Sequence, residues 1–203
     1  MSKKIFIVQF SSRLDGSAFS GILLARGLQD AGWDTHVAFA EDGPVIENYR
    51  EVNLKTYVVP HKNWLRRGKT HQFLKDFLTE FKKSKNFESL LEDISPDIMY
   101  INTVASLSGA IAAHRADIPL VWHIREMFAD IGGEMHAPFW GKSLVRVVIN
   151  KMADELIANS FATAQNILGK RYSENAHIVP NAVSDKYFQN QMSQEDARKK
   201  LNL

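Results

Sequence analysis

Residues 5–32 of the chain read IFIVQFSSRLDGSAFSGILLARGLQDAG, and this stretch indicates how the fold is built. Ile5–Phe10 is almost continuously apolar, as expected of a β-strand that is covered on both faces. Ser17–Ala31 carries its apolar residues at helical spacing, and Gly32 stands where a helix-ending glycine belongs. The stretch therefore predicts a strand, a short loop and a helix, the first unit of an α/β fold.

The same alternation of strand and helix patterns continues along the rest of the chain. Six further apolar runs are predicted to be strands: Thr35–Ala40, Lys55–Val59, Ile98–Asn102, Leu120–Ile124, Glu155–Ala158 and His177–Val179. The predicted helices that follow are Val45–Glu51, one long helix over 70–92, Ser106–Arg115, Trp140–Met152, Phe161–Leu168 and Ser193–Leu201. Because alternating strands and helices pair in parallel through crossovers, the pattern predicts a doubly wound, mostly parallel, Rossmann-like α/β sheet of about seven strands with helices on both faces.

Composition excludes several classes of protein and of site. The chain has 203 residues, of which 45% are apolar and 24% charged, and this balance is typical of a globular protein rather than a disordered one. Without cysteine it has no disulfide framework, thiolate zinc site or iron–sulfur cluster, and no Asp-x-Asp or helical His pair indicates another metal. A net charge of +2 does not indicate nucleic-acid binding. The longest apolar run, Ile5–Val8, is far shorter than the roughly 20 residues of a membrane span, so a cytoplasmic location is expected.

The loops that follow the strands are where a ligand is expected, because open parallel sheets bind ligands beyond the carboxyl ends of their strands. The first of these loops contains Gly16 and Ser17 but neither the G-x-G-x-x-G spacing of a dinucleotide site nor a P-loop lysine. Backbone N–H groups at this helix start would suit an anion. The alternative is an ordinary turn glycine with Ser17 as the helix N-cap. Glu41 and Asp42, after the second strand, are expected to form a solvated turn rather than a ribose-binding acid.

The fifth predicted strand ends in the sequence Trp122-His123-Ile124-Arg125-Glu126. Strand alternation places His123 and Arg125 on the same side, with Arg125 at the tip that faces the ligand cleft. Its guanidinium could bind a phosphate or a sugar hydroxyl, or Glu126 could neutralise it in a structural ion pair. His123 is expected to be a buried, hydrogen-bonded core residue.

The segment 61–85 combines eight lysines and arginines with two acidic residues and several aromatic side chains. Such a segment could contact anionic lipid headgroups or receive an acidic, lipid-linked substrate. The alternative is an amphipathic crossover helix whose aromatic residues face the core while its charges are solvated.

Six segments of the chain carry a resemblance to a known family: Gly16–Gly21, Ala31–Val37, Pro119–Glu126, Ala153–Ser160, Val179–Phe188 and Ala197–Leu203. Together, in this order, they resemble the amino-terminal half of the family 4 glycosyltransferases, retaining enzymes with two facing Rossmann-like domains (the GT-B fold). The chain departs from the family pattern at three positions. Arg125 stands where the family often has histidine, Gly16 is not doubled, and Ala182 replaces the usual glycine after Asn181.

The resemblance implies an enzyme that transfers a sugar, with retention, from a nucleotide-diphosphate sugar to a glycan or lipid-linked acceptor, without a cofactor. It implies surface polysaccharide or lipopolysaccharide synthesis at the inner face of the plasma membrane. Residues 1–182 would be the acceptor-side domain, and 183–203 the start of an interdomain linker and helix. The carboxyl-terminal donor domain would be absent, so this chain alone is expected to be inactive or nearly so.

The resemblance also assigns roles to residues at the strand ends. Arg125 and Glu126 would line the transfer site as catalytic residues, and Gly16 and Ser17 would bind the donor. The acceptor-binding residues would be Asn102, Thr103, Ser160 and Asn181. Two alternatives remain open at this point: a stand-alone nucleotide- or anion-binding module without catalysis, and, less favoured because of the first loop, a Rossmann oxidoreductase.

Overall fold

A computed structural model describes residues 2–67, 69–131, 133–183 and 192–202. Its strands are β1 (Lys4–Gln9), β2 (Asp34–Phe39), β3 (Lys55–Val58), β4 (Ile98–Ile101), β5 (Leu120–Ile124), β6 (Glu155–Ala158) and β7 (His177–Ile178). The helices of the described residues are α1 (Gly16–Asp30), α2 (Val45–Glu51), α3 (Thr70–Lys83), α4 (Lys85–Ile94), α5 (Leu107–Arg115), α6 (Phe139–Met152), α7 (Phe161–Leu168), α8 (Lys170–Ser173) and α9 (Gln194–Leu201).

The seven strands form one sheet in the order β3-β2-β1-β4-β5-β6-β7, and every neighbouring pair is parallel. The chain builds one half of the sheet from β1 outward to β3 and then crosses over to build the other half from β4 to β7. The order therefore reverses between β1 and β4, where Val8 lies beside Ile101. This arrangement confirms the predicted doubly wound fold and puts the expected ligand site at the carboxyl ends of β1 and β4.

Two hydrophobic layers cover the sheet, one on each face. Phe6 and Val8 of β1 pack into the larger layer with residues of α3 to α7. Ile5 and Ile7 point to the opposite face, where α1 and α2 cover them. Burial on both faces explains why β1 is almost continuously apolar instead of alternating apolar and polar residues.

The prediction of one long helix over 70–92 is wrong in one respect, because the structure has two helices there, α3 and α4, divided at Ser84. The buried Ser84 hydroxyl donates to the Phe81 carbonyl at 2.8 Å and accepts from Arg115 at 2.7 Å. Arg115 also donates to the same carbonyl at 3.4 Å. Side-chain donors that reach a helix carbonyl compete with the backbone ladder, which accounts for the break.

The predicted loop 61–71 is largely irregular in the structure, yet part of it belongs to the interior. Trp64 and Leu65 are fully buried, and the Trp64 indole N–H donates to the carbonyl of Val104 at 2.9 Å. The loop is therefore fixed to the segment that follows β4, close to the carboxyl edge of the sheet.

Candidate functional site

A cleft of about 490 Å³ lies at the carboxyl ends of β1 and β4, where the strand order reverses. Four of the predicted site residues line it: Ser17, Asn102, Thr103 and Glu126. A second cleft of about 550 Å³, between α4 and α5, lies near the amino ends of the strands and holds none of the predicted residues. The first cleft is therefore the candidate site.

Arg125 follows β5 and joins three other elements of the chain. Its guanidinium donates to the Asn102 side-chain oxygen at 3.2 Å, to that of Asn181 at 2.9 Å, and to the Ser20 hydroxyl on α1. Burial lowers the pKa of the guanidinium from its ordinary value, while the charge of Glu126 opposes that shift. The structure thus brings Arg125, Asn102 and Asn181 together, as the strand-end argument predicted.

The next residue, Glu126, makes its hydrogen bonds to a different set of groups, which follow β4. Its carboxylate accepts from the Thr103 hydroxyl at 2.6 Å and from the Val104 backbone N–H at 2.9 Å. Burial raises the pKa of the Glu126 carboxyl, and the hydrogen bonds from Thr103 and Val104 counteract the rise. The carboxylate binds Thr103 and Val104, which follow β4, instead of the Arg125 guanidinium. The structural ion pair considered for Arg125 and Glu126 is therefore not observed.

The start of α1 is capped by Asp15, and the expectation that Ser17 is the N-cap is wrong. The Asp15 carboxylate accepts from the Ala18 backbone N–H at 2.9 Å and from the hydroxyls of Ser17, at 2.7 Å, and Ser11. Burial disfavours the charged form, but these hydrogen bonds outweigh it and hold the pKa of Asp15 below its ordinary value. The negatively charged Asp15 side chain thus occupies the N-terminus of α1, where an anionic ligand could otherwise have bound.

Ser160 and Gly16 lie on the same edge of the sheet but have different surroundings. Ser160 is the N-cap of α7, since its hydroxyl oxygen accepts from the Thr163 backbone N–H at 3.1 Å. No heavy atom lies within 4 Å of where a Cβ of residue 16 would stand, so Gly16 faces open space. The neighbouring Asn159 donates to the Arg125 carbonyl at 3.1 Å and links β6 to the site.

His123 has a structural role beside the site, as predicted. It is buried, and its Nδ1 atom lies 2.8 Å from the hydroxyl of Tyr100. Burial, reinforced by the charge of Arg125, lowers the pKa of His123 to about 4. The ring is therefore neutral near pH 7.

Sequence reasoning missed Gln9 and Glu134 as lining residues of the cleft, and it placed Asp15 and Glu41 in loops at the ligand-binding edge without assigning them a role. Gln9 could have been noticed, because it is the polar residue at the end of an otherwise apolar strand, and its side-chain oxygen accepts from Asn102 at 2.6 Å. Glu134 lies in a predicted loop without a distinguishing pattern. Only the tertiary structure places it here.

The cleft is acidic. Its lining includes four carboxylates, those of Asp15, Glu41, Glu126 and Glu134, against the guanidinium of Arg13. Carboxylates accept hydrogen bonds from hydroxyl groups and repel phosphates, so this cleft suits a ligand rich in hydroxyl groups better than a diphosphate. Within the four described ranges, no group of three or more His, Cys, Asp or Glu residues could hold a metal ion.

Solved structures with the same fold include two that were solved with UDP and one glycosyltransferase. Anabaena Alr3699/HepE, solved with UDP, has a TM-score of 0.70 at 20% identity, covering 98% of this chain and 50% of that chain. A glycosyltransferase from Rickettsia africae ESF-5 has a TM-score of 0.69 at 12% identity, covering 99% of this chain and 50% of that chain. S. aureus MnaA, solved with UDP, has a TM-score of 0.55 at 17% identity, covering 93% and 48%.

The chain spans about half the length of these solved structures, and at such identities the likeness shows the fold alone. No curated protein matches the chain. The family model of Glycosyltransferase Family 4 matches residues 15–187. Since that match covers most of the sequence, the chain belongs to Glycosyltransferase Family 4.

Proposed function

We propose that this chain is the acceptor-side half of a retaining glycosyltransferase, which moves a sugar from a nucleotide-diphosphate sugar to a glycan or lipid-linked acceptor. The observation that carries the proposal is the acidic cleft at the strand-order reversal, which Asn102 and Glu126 line, with Arg125 hydrogen-bonded to Asn102 beside it. The family match supports the reaction class. HepE, which shares the fold, has been solved with UDP-glucose, and this supports a nucleotide-sugar donor.

In this proposal the chain binds mainly the sugars, and the donor half supplies most of the contacts to the diphosphate. Glu126 and Arg125 face the transferred sugar. The Glu126 carboxyl is half-buried and has a raised pKa, so it can hold a proton or accept one from an acceptor hydroxyl. Gly16 and Ser17 contact the donor, and the open space beside Gly16 leaves room for it. The acceptor is bound by the polar groups at the strand ends, Asn102, Thr103, Ser160 and Asn181.

The proposed reaction needs no cofactor, because the nucleotide-diphosphate sugar is itself the activated substrate. We infer that the acceptor belongs to surface polysaccharide or lipopolysaccharide synthesis and is met at the cytoplasmic face of the plasma membrane, which the basic segment 61–85 would contact. The described helices include none long and apolar enough to cross a membrane.

The catalytic proposal is tested by Arg125→Ala and Glu126→Gln in a protein that joins this chain to a family 4 donor half. Each variant should lower turnover at least tenfold, about 1.4 kcal/mol of transition-state stabilisation. Arg50→Ala, which removes an exposed ion pair with Glu47 and a hydrogen bond to Thr56 and touches no residue of the cleft, should keep turnover unchanged. Unchanged turnover in the Arg125 and Glu126 variants would remove these residues from the site.

Titration of residues 1–203 with nucleoside diphosphates, nucleotide-diphosphate sugars and NAD separates the proposal from its alternatives. An acceptor-side half should bind each of them weakly. Tight binding of a nucleoside diphosphate would instead favour a stand-alone binding module. Tight NAD binding would contradict the transferase proposal.

A further inference from the structure

The exposed charge of the segment 61–85 is entirely positive, which its sequence does not show. The segment contains eight lysines and arginines, and its two acidic residues, Asp76 and Glu80, are only 3% and 0% exposed. Asp76 accepts two hydrogen bonds from Arg66, at 2.7 and 2.9 Å. Glu80 accepts from backbone N–H groups, including that of Ser108 at 3.1 Å. With both carboxylates in the interior, the other cations of the segment face solvent without an acidic neighbour from the same segment.

The outer face of α3 also exposes large apolar side chains. Leu74, Leu78 and Phe81 stand at positions i, i+4 and i+7, which share one face of a helix, and Leu78 is 62% exposed. Lys75 and Lys82 each follow a member of this stripe and flank it on one side. The expectation that the aromatic residues of the segment face the core thus holds for Trp64 and Phe73 but not for Phe81.

The first turn of α6 extends this apolar area. Phe139 is 94% exposed, and the half-exposed ring of Trp140 packs edge-on against Phe73 of α3 at 5.6 Å between ring centroids. Phe77 in turn contacts Phe81 at 5.3 Å. Phe73 and Phe77 both pack on Trp64, so the apolar side chains of the two helices are joined through one aromatic cluster, and Lys75 and Lys82 lie beside the exposed α3 stripe.

We propose that this α3–α6 surface, formed by Leu74, Leu78, Phe81, Phe139 and Trp140 with Lys75 and Lys82, docks on the anionic headgroup layer of a lipid bilayer. Apolar side chains beside lysines match the boundary between acyl chains and anionic headgroups. A bilayer accepts Phe139 and Trp140 without a complementary pocket, and the positive border selects anionic lipids. The proposal deepens the proposed function, since it would hold the nearby cleft at a membrane that carries a lipid-linked acceptor.

The test is co-sedimentation of the 203-residue chain with vesicles of phosphatidylcholine alone and with vesicles that contain phosphatidylglycerol. The chain should bind the anionic vesicles at least tenfold more tightly, and added salt should weaken that binding. Lys75→Glu with Lys82→Glu should reduce it by about fivefold for each positive charge removed. Leu78→Ser with Phe139→Ser should reduce it at least tenfold.

Leu23→Ser with Arg26→Glu is the matched control, because both residues are exposed on α1, which covers the opposite face of the sheet. It should bind as the parent chain does, and circular dichroism should show every variant folded. Equal loss in the control, or no binding to anionic vesicles, would overturn the proposal. It would also be overturned if polyglutamate bound as tightly as the vesicles, since the surface would then fit an acidic protein.

The binding assay contains no sugar donor, so its result does not depend on the proposed reaction. Transfer to a water-soluble acceptor, measured with the donor half present, tests the reaction without a membrane. A chain that binds vesicles but supports no transfer would contradict the proposed function alone, whereas transfer without vesicle binding would contradict only the docking surface.

Discussion

His61 and His123 are both buried, and each is hydrogen-bonded to neutral groups. His61 lies 2.8 Å from the Val59 carbonyl through Nδ1 and 2.8 Å from the Ser106 hydroxyl through Nε2. Because a carbonyl can only accept, Nδ1 carries the proton and Nε2 accepts from Ser106. Burial lowers the pKa of His61 to about 4 from its ordinary 6.5. The unfolded chain therefore takes up this proton first, and the stability contributed by neutral His61 is present above about pH 6.5 and is lost as the pH falls toward 4.

This linkage can be isolated by comparing the chain with His61→Gln. The stability advantage of the parent chain over the variant should shrink by about 2 kcal/mol between pH 7 and pH 5, measured as the free energy of unfolding in urea. The raised carboxyl pKa values of Glu80 and Glu126 act in the opposite direction, but they are common to both proteins and cancel. Parallel pH profiles of the parent and His61→Gln would contradict the assignment.

At the scale of a single element, α1 carries two interior glycines in opposite surroundings. A Cβ at Gly21 would collide with the Tyr49 hydroxyl and lie 2.9 Å from the Gln9 side-chain oxygen. Tyr49 is fully buried and donates to the Ala18 carbonyl at 2.9 Å, so it has little room to move. A Cβ at Gly27 would have no heavy atom within 4 Å. Gly21 therefore allows α1 and α2 to approach each other. At Gly27, by contrast, no contact requires the absence of a side chain.

These surroundings predict opposite signs for the same substitution in the same helix. Gly21→Ala should lower the free energy of unfolding by about 1–3 kcal/mol, because the added methyl displaces Tyr49 and the residues packed against it. Gly27→Ala should raise it by about 0.5–1 kcal/mol, because alanine loses less backbone entropy in a helix. Urea titrations of the two variants and the parent measure both effects. A stabilised Gly21→Ala variant would show that the contact between α1 and Tyr49 is not tight.

At the scale of the whole molecule, the two hydrophobic layers share the strands of one sheet. In β1, Phe6 and Val8 belong to one layer and Ile5 and Ile7 to the other. If either layer lost its packing, one face of the strands would be exposed to solvent. The other layer packs on the opposite face of these same strands, so it would lose its support. The described residues from β1 to β7 should therefore unfold as one unit.

This coupling predicts a single thermal transition. Far-UV circular dichroism, which follows the helices, should give the same midpoint as near-UV circular dichroism, which follows the buried Trp64 and Trp122. Both tryptophans lie in the larger layer, so Tyr49, in the smaller one, provides an independent probe when labelled with fluorotyrosine and followed by ¹⁹F NMR. Separate midpoints for the tryptophan and Tyr49 signals would contradict a shared core.

The sequence by itself determined the alternation of strands and helices, the parallel sheet and the edge at which polar residues gather. These follow from local periodicity, and Asn102, Arg125 and Asn181 could be predicted to meet because each follows a strand of one parallel sheet. Only the tertiary structure decided which charges are buried. Asp76 and Glu80 look like solvated helix residues until Arg66 and the start of α5 provide their partners. The energy of a charged side chain depends on groups distant in sequence, and no local pattern encodes them.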